Sequence, residues 1–106
     1  MRKTMTKLDL EALVLGELRR EITDWLAFLR EQLAEEARLH RPEPGHQCRL
    51  IDGWLFGASR LAETLLFKGC SYEASTQAEA EYKQAKVEIQ KMGDVAAAWL
   101  AAREAL

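Results

Sequence analysis

Apolar positions recur along this chain at steps of three and four, and no stretch alternates cleanly at steps of two. That pattern predicts helices and no strands. The first run places Leu15, Leu18, Ile22, Trp25, Leu26, Leu29 and Leu33 on one face, flanked by Glu17, Arg19, Asp24, Glu31 and Glu35. Thr6 and Asp9 stand at capping-box spacing, with aspartate in place of the usual glutamate, and Pro42 biases Arg41 away from helical geometry. A helix is expected over 6–40, and the stretch from His40 to His46, with two prolines and a glycine, reads as a loop.

The second run, Leu50, Ile51, Trp54, Leu55, Ala58, Leu61, Ala62, Leu65 and Leu66, spans a face about 160° wide at about 100° per residue. A face so broad touches two neighbours, which predicts a central helix over 47–68 with Gly69 just past its end and Lys68 at the negative end of its dipole. In the third run, Ala78, Tyr82, Ala85, Ile89, Met92, Ala96, Trp99, Arg103 and Leu106 alternate at four and three. Its start lies between Ser71 and Thr76, where Thr76 and Glu79 offer a capping box, and a helix is expected over 73–106. The register keeps step through Gly93, favouring one continuous helix; a Gly93 C-cap followed by an Asp94 N-cap is the alternative.

These elements predict a single all-α domain over 1–106: a three-helix antiparallel bundle with long first and third helices, Gly16 and Gly93 as the points where those helices could break, and coiled-coil-like packing. The outer helices would be roughly 50 Å long and the central one about 33 Å, at about 1.5 Å per residue. Aligned from the loops, the segment before Gly16 would overhang one end of the bundle and the segment after Gly93 the other. Both carry large apolar residues, including Leu8, Leu10, Leu13, Val95, Trp99 and Leu100. Either the helices fold back at the glycines or a second copy covers them; homodimerisation is the expectation, because patches of that size are uncommon on monomers.

A further leftover surface points the same way. Phe56 and Phe67 lie off the main face of the central helix, on the side of Gly53 and Gly57, whose spacing lets another backbone approach closely. The candidate partner or dimer interface is therefore Gly53, Phe56, Gly57 and Phe67 with Val95, Trp99 and Leu100.

Composition narrows the partners. The 106 residues are 48% hydrophobic and 30% charged with a formal net charge of −2, so nothing draws the chain globally to nucleic acid or to an anionic membrane. Arg2, Lys3 and Lys7 read as a solvated terminus, and no apolar run approaches a membrane span. Cys48 and Cys70, at opposite ends of a helix and roughly 33 Å apart, cannot bridge within one chain, and reduced thiols in the cytoplasm are expected.

Candidate chemistry is sparse. His40, His46 and Cys48 share a loop but lack the fourth ligand of a structural zinc site. Glu31, Glu35 and Glu36 lie among Arg30 and Arg38 as a solvated stripe, and no Glu-x-x-His motif accompanies them. Ser59, Ser71 and Ser75 have no nucleophile context, Cys70 reads as a spectator thiol, and no glycine-rich phosphate loop is present. No catalytic, cofactor or metal residues are assigned. The expected function is a non-enzymatic protein–protein interaction module, an adaptor or inhibitor acting as a homodimer. Its compact, cofactor-free build is of a style common among bacterial and phage accessory proteins. The rival is a dimeric nucleic-acid-associated transcriptional regulator using Lys83, Lys86, Lys91 and the N-terminus, although Glu79, Glu81 and Glu88 interleave with those lysines.

Overall fold

The computed structural model describes residues 6–39 and 44–105. They form three α-helices, α1 (Lys7–Leu39), α2 (Pro44–Gly69) and α3 (Tyr72–Glu104), each packed against the other two, with no strand among the described residues. His40 to Glu43, the basic residues Arg2 and Lys3, and Leu106 lie outside the described residues.

Local chemistry sets the ends. At the start of α1 the Thr6 N–H donates to the Asp9 carboxylate and the Asp9 N–H to the Thr6 hydroxyl, both at 3.1 Å, which is the reciprocal capping box its spacing predicts. Hydrogen bonding from Thr6, the backbone N–H first and then the side-chain hydroxyl, holds the Asp9 carboxyl below its ordinary pKa. The second helix opens at Pro44, three residues earlier than its apolar pattern suggests; a first-turn N–H has no helical partner, so proline's missing donor costs nothing there. The third opens a turn earlier than the Thr76 box implies. Ser71, in an extended conformation, accepts the Ala74 N–H at 3.1 Å, while the Thr76 hydroxyl, already inside the helix, donates back to the Glu73 carbonyl at 2.6 Å. Both α1 and α3 pass through their glycines, Gly16 and Gly93, without a break.

The core is a single seam. Leu15, Leu18, Ile22 and Leu29 of α1 meet Ile51, Leu55, Ala62 and Leu66 of α2 and Ala74, Ala78, Ala85 and Ile89 of α3. The small face of α3 lets it lie close on α2, where the buried Ser59 hydroxyl donates to the Ala78 carbonyl at 3.5 Å. A second bond ties the same pair: the Tyr82 hydroxyl donates to Asp52 at 2.6 Å.

The vertical register differs from the one predicted. A Cβ on Gly69 would stand 2.5 Å from Leu10 Cδ2, and the Cys70 thiol donates to the Lys7 carbonyl at 3.3 Å, so the start of α1 is level with the end of α2. The described residues before Gly16 therefore do not overhang. At the other end Cys48 lies against Ile89 and Gly93, four residues into α2, while α3 continues for three turns beyond Gly93. Stepping equally from Leu10 and from Gly69 puts the start of α2 level with the last turn of α1. Both outer helices thus run past α2 at the same end. The earlier opening of α2 and the stagger of α1 remove one overhang and leave the other. The result is a rod, 67 × 26 × 14 Å.

Candidate functional site

Among the described residues many large apolar side chains stay uncovered on this rod, and a number of them gather on two surfaces. The first is the open end beyond α2. There α1 and α3, running parallel, enclose an apolar groove of about 430 Å³ walled by Leu33, Ala34, Ala37, Met92, Val95, Ala96, Trp99 and Leu100, with Arg30, Glu36 and Lys91 at its margin. Val95 is 69% and Trp99 45% exposed. The Arg103 guanidinium lies 5.2 Å from the Trp99 ring, a cation–π contact that orients the indole. One carboxylate oxygen of Glu36 is buried there without a hydrogen-bond partner. Beside it, the Cys48 thiol has its pKa raised, first by burial and then by the negative charges of Glu36 and Asp94, which holds it in the unreactive protonated form.

The second surface is the outer side of α2. The broad face predicted for this helix is only half covered. Ile51, Leu55, Ala62 and Leu66 are buried, while Leu50, Trp54, Leu61 and Leu65 are 46%, 61%, 63% and 47% exposed. The cause is tertiary. Because α1 and α3 also touch each other, both pack into one sector of α2 and leave the adjacent sector open. Trp54 is stacked on Trp25 of α1, ring centroids 5.7 Å apart and planes 8° from parallel, and the Trp25 N–H donates to Glu21 at 3.0 Å.

The sequence-predicted interface residues fall in three places. Val95, Trp99 and Leu100 line the groove. Gly57 belongs beside the exposed leucine stripe at helical spacing, with Gly53 at its edge, and nothing lies within 4 Å of a Cβ built on either. Phe56 and Phe67, 51% and 61% exposed, lie on the opposite flank, and Phe56 is engaged edge-on by Tyr82 at 5.7 Å. Leu50, Trp54, Leu61 and Leu65 belong to the apolar face that the spacing expects two neighbours to cover, and they are exposed. Their helical spacing identified them as apolar, but no sequence signal says which sector of a broad face the neighbours occupy.

Other candidate chemistry is not assembled. No group of three or more His, Cys, Asp or Glu side chains that could hold a metal occurs among the described residues; His46 and Cys48 lie there, and His40 lies outside them. The described cysteines are free, one near each end of α2. On α3, Lys83 pairs with Glu79 at 2.9 Å and Lys91 with Glu88 at 3.5 Å. Glu81 takes Arg19 of α1 at 2.7 Å. No helix among the described residues is long and apolar enough to cross a membrane. No protein-family model matches the chain, and no curated protein and no solved structure matches it.

Proposed function

We propose that the protein is a non-enzymatic helical interaction module, an adaptor or inhibitor of a protein partner, that acts as a homodimer in the cytoplasm. The observation that carries this reading is the apolar groove at the open end of the bundle. Its described walls come from the C-terminal halves of two parallel helices, α1 and α3, and no described residue of α2 lines it. An amphipathic helix from a partner supplies what the bundle lacks there, its apolar edge against Val95, Trp99 and Leu100. Small residues at Ala34, Ala37 and Ala96 leave room for its backbone.

The nucleic-acid reading finds less support. Of the α3 lysines that would contact phosphates, Lys83 and Lys91 are engaged by Glu79 and Glu88, and the net charge is negative. Affinity capture from host extract tests the leading reading, using the wild-type chain beside Val95→Glu and Trp99→Ala variants shown to be helical by circular dichroism. A protein retained by the wild type and lost with both variants is the expected outcome. Capture that both variants leave unchanged would assign recognition elsewhere.

A further inference from the structure

The outer stripe of α2 is a larger problem for the isolated chain than the groove. Leu50, Trp54, Gly57, Leu61 and Leu65 follow one another at heptad-like steps along it, and the four large side chains stay exposed, Trp54 being covered on the face it stacks on Trp25. We propose that a second copy of the chain docks on this stripe, α2 antiparallel to α2, with the two-fold axis beside Gly57. The inference rests on the homodimer reading and assigns it a surface distinct from the groove.

The pattern itself is self-complementary. Gly57 lies at the middle of Pro44–Gly69. Trp54 precedes it by three residues and Leu61 follows by four; Leu50 precedes it by seven and Leu65 follows by eight. A two-fold interface sets each position against its mirror, so Trp54 meets Leu61 of the second copy and Leu50 meets Leu65. The crossing point then falls at the glycine, where no described residue outside the local helix backbone stands within 4 Å of a Cβ, so the backbones can approach closely.

Trp54 is already held in place. Stacked flat on Trp25, it presents a fixed edge and loses little freedom on docking. The area also suits a dimer. The chain exposes 7651 Å², against roughly 6,000 Å² for a compact monomer of its mass. A standard interface removes about 800 Å² from each partner, which the excess surface of the rod can supply.

The test is the solution mass of the full chain by sedimentation, over a wide range of concentration. The wild type is expected to be a dimer, with Leu61→Glu raising its dissociation constant by at least ~100-fold, a buried charge opposite Trp54 being of hot-spot size. Leu61 is exposed within the chain, so the variant keeps its helices, as circular dichroism will report. With Cys48 and Cys70 replaced by serine, Gly57→Cys is expected to close a disulfide between copies under mild oxidation, and Phe67→Cys to do so far less. A monomer throughout would overturn both the homodimer reading and this surface. A dimer that survives Leu61→Glu but is lost with Val95→Glu would overturn the surface alone.

Discussion

Tyr82 shows how much one side chain can carry across a helix pair. Its hydroxyl donates to Asp52 at 2.6 Å and its ring takes the edge of Phe56, so α3 is tied to α2 by a charged acceptor and an aromatic contact at one level. Burial first, and then the bond to the Asp52 carboxylate, push its phenol up to about 12. The sign follows. The folded state holds the proton more tightly than the unfolded chain, so this contribution is complete below about pH 10 and is lost as pH rises from there towards 12. Absorbance titration should show a phenol ionising near pH 12. Tyr82→Phe should cost about 1 kcal/mol in a denaturant titration at neutral pH, and should remove this component of alkaline destabilisation. The Tyr82 register position was legible in the four-three spacing of α3. The Asp52 partner was not, because the two residues are thirty positions apart on different helices.

Among the elements, α1 and α3 each carry a glycine in a helix interior, and the two do different work. No described residue outside the local helix backbone lies within 4 Å of a Cβ at Gly16, whereas a Cβ at Gly93 would stand 3.1 Å from the Cys48 sulfur. Glycine costs about 1 kcal/mol relative to alanine inside a helix, so Gly16→Ala should raise the free energy of unfolding by up to that amount. Gly93→Ala should fail to gain it, because the thiol must shift. In a Cys48→Ala background the gain should return, and a double-mutant cycle in denaturant measures the coupling. A Gly93→Ala gain equal in both backgrounds would show that the contact at Cys48 is not what the glycine accommodates. The unbroken four-three register through Gly93 was legible, and α3 is continuous there. That α2 rather than a second chain presses on that glycine depends on the stagger of the helices.

At the scale of the molecule, the decisive property is shape. A radius of gyration of 17.5 Å compares with roughly 13 Å for a compact domain of this length. A rod of three helices has little interior, and the core accordingly includes four alanines among its buried apolar residues. Large side chains such as Trp54, Leu61 and Phe67 remain outside, each forgoing part of the roughly 1.5–3 kcal/mol that full burial would contribute. If two copies share the α2 stripe, unfolding is linked to dissociation. The thermal midpoint should then rise with protein concentration for the wild type and become independent of it for Leu61→Glu. Scanning calorimetry at several concentrations distinguishes the two.

Helical class, the three apolar runs, the capping box at Thr6 and continuity through Gly93 follow from spacing and side-chain chemistry alone, because each depends on residues within a turn or two of one another. The capping box that the spacing offers at Thr76 is not used: Ser71 caps α3, and Thr76 lies inside it with its hydroxyl bonded back to the Glu73 carbonyl. Which half of the broad α2 face is buried, which end of the bundle stays open, and how the predicted interface residues divide among three surfaces were decided by tertiary structure. These depend on the rotation and stagger of one helix against another. Apolar periodicity names the residues that seek cover, but the sector that receives it is chosen only when the helices pack.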